Sequence, residues 1–210
     1  MFIIYLIDYI KVLIIIYLTI KKGSAFKWSL RPEQNKIKYV AITAIDNTAP
    51  VRIHAEAHGL TNGSYFWVTG SKGLTQLNAL NTPPKVSDYF CAEVIDADTV
   101  EINRINATQL GTYTTGGYIE YKLPMALTGC TVRGHVRKSE KSEEILLDLG
   151  LYATVNTSLS RIDFYIPDSV TEDLVGSGGV YDIEIIDALG DVMSLPKDRI
   201  IFDGEVTRDV

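Results

Sequence analysis

The chain has 210 residues, of which 46% are hydrophobic and 22% are charged, and its formal net charge at pH 7 is −6. This composition is that of a folded protein, and the length allows one large domain or two small ones. The charge is uneven, because residues 21–38 carry a local charge of +5 and the residues after 38 carry −11. An acidic body repels nucleic acid, so we predict no nucleic-acid partner.

The two cysteines, Cys91 and Cys130, do not form a CxxC pair and have no histidine cluster beside them. This spacing argues against a structural zinc site. We expect both residues to be buried free thiols, and a single disulfide between them stays an alternative.

The chain opens with an apolar segment, residues 1–22, which begins MFIIYLIDYIKVLIIIYLTI. A helix of this length spans a bilayer, and the lysines at its end would keep the body in the bacterial cytoplasm. Asp8 and Lys11 are costly in lipid unless they pair, as their helical spacing allows. Two alternatives stay open: a helix buried against partner subunits, or translated AT-rich DNA ahead of a true start between Lys22 and Lys36.

Residues 23–36 are predicted to be a basic linker. From residue 37 onward helical periodicity nearly vanishes, and short β-rich runs alternate with turn residues, which is typical of all-β sandwiches and barrels. In chain order these runs are "KYVAITAID", "VRIHAEA", "SYFWVTG", "YFCAEVID", "TVEINRI" and "GYIEYKL". Residues 37–122 are therefore predicted to form one small β-barrel-like module.

Pro124 ends the first series of strands, and a second series begins. In "CTVRGHVRKS", apolar residues alternate with Arg133, His135 and Arg137, which predicts one buried face and one strongly basic wet face. Further strands are predicted at "EEILLDLG", "SRIDFYIP", "VYDIEIID" and "DRIIFDGEVTRDV", with a helical turn in "DSVTEDLVGSGG". Residues 125–210 are predicted to form a compact β-sandwich.

The stretch "HGLTNGSYFWVTGSKGLTQLN", residues 58–78, is glycine-rich enough to suggest a phosphate-binding loop. Such a loop needs its glycines between a strand and a helix, so that backbone N–H groups face the anion. Here the glycines flank a strand and no helix is predicted after them. Asn62-Gly63 is a strong turn signal, so we interpret the stretch as turns of a β-sheet.

Candidate catalytic groups are few and scattered. The three histidines are His54, His58 and His135, and no HExxH or GxSxG pattern is present. His58 is expected to be a turn histidine bonded to the backbone. Asp96 and Asp98 in "VIDADT" lack further ligands for calcium and are expected to cap a hairpin. We therefore predict no catalytic residue, no cofactor-binding residue and no metal site, and a protein that is not an enzyme.

Aromatic side chains could stack on sugars, and four of them fall in the first module. We expect most of these to fill its core, because a small β-domain needs large side chains. The residues concerned are Tyr65, Phe66, Trp67 and Tyr113.

The first module also resembles a small β-barrel repeated in bacteriophage tail and other virion proteins, which is similar to the FCCH domain of ubiquitin-activating enzymes. In that pattern a strand ends in a His-Gly turn, a second turn follows at Asn-Gly, and a Gly-x-x-Gly segment leads to Leu-Asn before a Tyr-Thr-x-Gly-Gly close. The resemblance covers about residues 39–122, with the proline-rich "ALNTPPKVSDYF" as a departure. Its matching residues are His58, Gly59, Asn62, Gly63, Gly70, Gly73, Leu77, Asn78, Tyr113, Thr114, Thr115, Gly116 and Gly117.

The second half resembles the immunoglobulin-like domain at the N-terminus of phage baseplate-upper and tail-fibre proteins. The family's Leu-Thr-Gly opening, its Tyr-Asp-x-Glu strand and its Gly-x-Val-Thr-Arg ending all have counterparts. They fall on Leu127, Thr128, Gly129, Tyr181, Asp182, Glu184, Gly204, Val206, Thr207 and Arg208. In such proteins these residues build the sandwich and its docking surface.

Together the resemblances imply a non-enzymatic structural protein of the phage tail, at its tip, baseplate or fibre attachment. Its implied partners are other virion tail proteins and further copies of itself, and the Arg133, His135 and Arg137 face is expected to dock onto an acidic neighbour. Two alternatives stay open. One is a membrane-anchored β-protein tethered by residues 1–20, with the basic segment against anionic lipid. The other is a host-attachment protein that binds glycans.

Overall fold

A computed structural model describes the backbone of residues 2–6 and the whole of residues 18–204. Within these ranges the chain is all-β, as predicted, with one short helix, α1 (Asp168–Glu172), and three 3-10 turns (Thr75–Leu77, Val86–Asp88 and Gly150–Tyr152). The strands are β1 (Phe2–Leu6), β2 (Leu18–Lys21), β3 (Phe26–Ala41), β4 (Ala44–Asp46), β5 (Val51–His54), β6 (Tyr65–Thr69), β7 (Phe90–Cys91), β8 (Glu93–Val94), β9 (Thr99–Ile102), β10 (Tyr118–Pro124), β11 (Thr131–Arg137), β12 (Ile145–Asp148), β13 (Ala153–Asn156), β14 (Arg161–Ile166), β15 (Gly178–Ile186), β16 (Val192–Ser194) and β17 (Asp198–Asp203).

The chain divides into two compact units that are not consecutive in sequence. One unit, the barrel unit, is Gln34–Leu123, and the other, the sandwich unit, combines Met1–Glu33 with Pro124–Val210. Strand β3 therefore contributes its first half to the sandwich unit and its second half to the barrel unit. The barrel unit is an insertion between two strands of the sandwich unit.

The sandwich unit consists of two sheets. In one, the strands follow the order β12-β11-β15-β17-β2, with β16 also pairing β15. In the other, β13 pairs β14 and β14 pairs the first half of β3, on whose residues 28–32 β1 lies in parallel. This is an immunoglobulin-like order, with β11, β15 and β17 in one sheet and β3, β14 and β13 in the other.

Alternate residues of both sheets meet in the core of the sandwich unit, as the period of a strand requires. Trp28 stacks on Phe164 of the paired strand, with ring centroids 4.6 Å apart, and meets Tyr181 of the other sheet edge-on. The fully buried side chains of this core include Ile20, Leu30, Leu127, Leu149 and Ile162.

The N-terminal part of the chain corrects two expectations. Residues 18–21, expected within an apolar segment that could be helical, form strand β2, which pairs with β17 in parallel. Residues 26–36, expected within a basic linker, lie in β3, where Arg31 is buried. Strand β2 and the first half of β3 belong to the sandwich unit, so the sandwich is built from more than residues 125–210. Residues 7–17, the centre of the expected helix, lie outside the described residues.

Searched over its described residues, the chain contains no helix that is long and apolar enough to cross a membrane. A membrane-spanning helix over residues 1–20 was one of the three alternatives. Its two described pieces, Phe2–Leu6 and Leu18–Ile20, are strands.

The barrel unit also has two small sheets. Their orders are β3-β10-β6-β7 and β4-β5-β9-β8, and the chain passes directly from one sheet to the other between β7 and β8. One core lies between them, with Val51, Ile53, Phe66, Val68 and Val100 fully buried. Both sheets contribute side chains to this one core, and the closure of the unit into a barrel stays a prediction.

The glycine-rich stretch consists of turns, as interpreted from its sequence. Ser64 donates its backbone N–H to the carbonyl of Thr61, which closes a turn over Asn62 and Gly63. Gly63 has φ +81°, a left-handed conformation that glycine adopts at little cost. Strand β6 follows, and no α-helix succeeds it within the barrel unit.

Candidate interaction surface

His58 is a structural histidine of the barrel unit. The side chain is buried, with 1% of its surface exposed. Its Nδ1 accepts the backbone N–H of Leu60 at 3.0 Å, so Nε2 carries the proton and donates to the carbonyl of Asp96 at 3.1 Å. The carbonyl of His58 accepts from the Tyr121 hydroxyl at 2.7 Å and from the Lys38 ammonium at 3.2 Å. Both ring nitrogens are occupied by backbone groups, as predicted.

The acidic turn beside His58 is likewise bonded to the backbone. Asp98 accepts the N–H of Ala57 at 2.7 Å, and Asp96 accepts the N–H of Asp98 at 2.9 Å. The second of these bonds lowers the pKa of Asp96. Among residues 18–204, no group of three or more histidine, cysteine, aspartate or glutamate side chains could hold a metal ion.

Both cysteines are free thiols, but neither is buried: Cys91 is exposed and Cys130 is partly exposed. The expectation of burial was wrong for Cys91 because it lies at the exposed position of β7, whereas Cys130 packs against the core of the sandwich unit and stays partly exposed. Partial desolvation and the charge of Glu93 raise the pKa of the Cys91 thiol. A raised pKa reduces the thiolate fraction on which nucleophilic chemistry depends.

The aromatic residues of the barrel unit serve mainly its interior. Phe66 is fully buried, and Trp67 is covered by Tyr89, which meets it edge-on at 5.4 Å. The Trp67 indole donates to the carboxylate of the buried Glu120 at 3.1 Å. The most exposed tyrosines of this unit are instead Tyr39 and Tyr118, a pair that sequence reasoning had missed.

The solvent-facing side of β11 carries the predicted Arg133, His135 and Arg137, but the adjacent strands contribute acidic side chains. Arg133 donates to Glu184 of β15, and that hydrogen bond lowers the pKa of Glu184. His135 lies 3.9 Å from Asp148 of β12. Arg137 donates to the backbone carbonyl groups of Ser142 and Glu143 in the loop that follows.

The expected strongly basic face is therefore a mixed-charge face. The prediction was wrong because it considered one strand in isolation, whereas Glu184 lies 51 residues away along the chain. A shallow groove runs over this face. Its charged lining residues are Arg133, His135, Arg137, Glu140, Asp182, Glu184 and Lys197.

A second groove lies beside the first, at the hairpin loop that follows β11. Its lining includes the cations Lys138, Lys141 and Arg199 together with Gly178 and Ile201. None of the three cationic side chains has an ion-pair partner among residues 18–204. Three cations without an ion-pair partner in the described part of the chain thus lie next to the predicted face.

The proline-rich loop of the barrel unit, residues 79–89, is held by one buried carboxylate. Asp88, 6% exposed, accepts the N–H groups of Lys85 at 2.8 Å and Leu80 at 3.1 Å, and the side-chain amide of Asn81 at 2.9 Å. Leu80 itself is 91% exposed, and Val86 is half exposed. The loop therefore presents aliphatic side chains to solvent on a fixed backbone.

We expect Asp88→Asn to lower the free energy of unfolding of the barrel unit by about 2 kcal/mol at pH 7, because the N–H groups of Lys85 and Leu80 would lose a charged acceptor. Burial alone would raise the pKa of Asp88, but the hydrogen bonds from Lys85, Asn81 and Leu80 outweigh it and hold the pKa below its usual value. The carboxylate thus contributes stability above its unfolded pKa of about 3.9, and this stability is lost as the pH falls through the lower folded pKa.

Urea unfolding of the wild type and of Asp88→Asn between pH 7 and pH 2.5 measures this effect. The difference in free energy of unfolding between the two proteins should be constant above about pH 5 and should vanish at the acid end, as expected for a carboxylate with a lowered pKa. Glu56→Gln, at an exposed site of the same unit, is the matched control and should leave the stability unchanged. An Asp88→Asn variant as stable as the wild type at pH 7 would show that the loop does not depend on this carboxylate.

Comparison with known proteins gives no further assignment: no protein-family model matches the chain, and no curated protein is significantly similar to it in sequence.

Proposed function

We propose that the chain is a non-enzymatic structural protein of a bacteriophage tail, at its tip, baseplate or fibre attachment, and that it acts by binding other virion proteins and further copies of itself. The observation that carries the proposal is the pairing of two module resemblances in one chain. A barrel-like module like those of virion proteins is followed by a domain that resembles the N-terminus of baseplate-upper and tail-fibre proteins.

The chemistry of the described residues supports a binding role. His58, Asp96 and Asp98 are engaged with backbone groups, and Glu184 is paired with Arg133. Compact β-units with exposed edge strands and ordered loops suit repeated assembly contacts. The rigid loop with the exposed Leu80 and the two grooves of the sandwich unit are the surfaces that such contacts would use.

Mass spectrometry of purified particles from the source of this protein tests the proposal. We expect the chain at a fixed ratio to the major tail proteins. Absence from particles, together with recovery in the membrane fraction, would instead favour the membrane-anchored alternative. Recovery in particles combined with specific signals on a glycan array would assign a host-attachment role.

A further inference from the structure

We propose that the second groove of the sandwich unit, lined by Lys138, Lys141, Arg199, Val180 and Ile201, binds an acidic protein segment that carries an aliphatic side chain. The inference adds to the proposed assembly role by naming the chemistry of a partner. It rests on that role, because only an assembly role implies that the partner is a protein.

The charge of the groove is the first step. Lys138 and Lys141 come from the loop after β11, and Arg199 from β17, so three cations from two segments line one depression. Glu140 also lies there, but its carboxylate is 2.6 Å from the Lys197 ammonium. Three cations and this one anion therefore line the groove, which gives its lining a net positive charge. In a chain of net charge −6, this is a local reversal of sign that attracts acidic groups.

The shape of the groove is the second step. Backbone atoms line part of the groove, because Gly178 and Gly179 of β15 have no side chains. A Cβ on Gly178 would lie 2.0 Å from the carbonyl oxygen of Ile200, and one on Gly179 would lie 2.0 Å from that of Arg137. The close approach of the neighbouring strands thus requires glycine at both positions, and the depression is built into the sheet.

The apolar part of the groove is the third step. Ile201 points away from the sandwich core and is 43% exposed, and Val180 is partly exposed on the paired strand. An aliphatic side chain of the partner would cover them, while the cations at the rim bind acidic groups. This combination favours a peptide over nucleic acid. The phosphates of a nucleic acid would make no apolar contact with Ile201, and the acidic body of the chain would repel them.

Fluorescence polarisation with the purified full-length chain tests the proposal. The probe is a labelled peptide that repeats Glu-Glu-Val, and the control probe repeats Gln-Gln-Val. We expect saturable binding of the acidic probe alone, weakened about tenfold by Lys138→Gln with Lys141→Gln and by Arg199→Gln. Binding should also weaken as salt rises from about 0.05 M to about 0.3 M. Ile201→Ser should also weaken binding of the acidic probe, because it removes the aliphatic contact.

Lys36→Gln with Lys72→Gln is the matched control, since it removes two exposed lysines of the barrel unit. If this pair weakened binding of the acidic peptide equally, the effect would come from the net charge of the chain, and the proposed site would be wrong. Tighter binding of oligo-dT or of anionic phosphatidylserine vesicles than of the acidic peptide would overturn the choice of partner. No binding of the acidic peptide would overturn the proposal. Particle proteomics is independent of these results, so either proposal can fail alone.

Discussion

A chain that begins at Lys22 is expected to lose most of the stability of its sandwich unit. The deletion removes strand β2, whose Leu18 and Ile20 are buried and whose backbone pairs with β17. Truncating one buried leucine or isoleucine to alanine costs about 2–5 kcal/mol. Losing both, together with their strand, approaches the 5–15 kcal/mol that typically holds a domain together.

Urea unfolding followed by tryptophan fluorescence measures this loss. The sequence has two tryptophans, Trp28 in the sandwich unit and Trp67 in the barrel unit, so Trp67→Phe leaves a reporter of the sandwich alone. In the full-length chain, Leu18→Ala with Ile20→Ala should destabilise this unit strongly. Thr19→Ala with Lys21→Ala, at the exposed positions of the same strand, should change the stability by less than about 0.5 kcal/mol.

Two outcomes would contradict the assignment of β2 to the sandwich core. One is a chain beginning at Lys22 that unfolds as cooperatively as the full-length chain. The other is an exposed-position pair that destabilises as much as the buried-position pair. The first would mean that residues 18–21 are dispensable, and the second would mean that the contribution of β2 does not depend on the burial of Leu18 and Ile20.

His58→Ala is expected to lower the free energy of unfolding of the barrel unit by about 3–5 kcal/mol. The substitution leaves the buried N–H of Leu60 and the carbonyl of Asp96 without their partners, and each such loss costs about 1–3 kcal/mol. The cavity left by the imidazole adds to this cost. Trp67 fluorescence in a Trp28→Phe background follows the barrel unit alone.

His54→Ala is the matched control, because it removes a histidine of the same unit from a solvent-accessible position. The His54 ring lies 2.9 Å from Asp46 and 3.3 Å from the Thr99 hydroxyl. An exposed pair of this kind contributes less than about 1 kcal/mol. If His58→Ala were no more destabilising than His54→Ala, the structural role of His58 would be refuted, and this histidine would again be a candidate for chemistry.

Because each unit has its own core, the two predictions can be tested separately even though one unit is inserted into the other. The barrel unit leaves the sandwich through β3 and returns through β10, so its strands form a core of their own. Destabilising one core should therefore move one fluorescence reporter more than the other.

The sequence by itself determined the all-β class, most of the strands and the turns. Alternation of apolar and polar residues is a local pattern, and every strand predicted between residues 37 and 204 has a counterpart in the structure, whereas residues 205–210 lie outside the described residues. The Asn62-Gly63 turn and the backbone role of His58 also followed from local chemistry. Short strands without clear signals, β13 and β16, were not predicted.

Only the tertiary structure decided how these strands combine. Strand β2 acquires its role by pairing with β17, about 180 residues later, and no local pattern indicates such a partner. The cations of residues 21–38 suggested a linker because a charge average hides the run of buried residues 28–32 in β3, which includes Arg31. Likewise, Arg133 of β11 is paired with Glu184 of β15 and His135 lies near Asp148 of β12, whereas cations without an ion-pair partner among the described residues line the adjacent groove. Surface charge depends on which strands become neighbours, and that is set by long-range pairing.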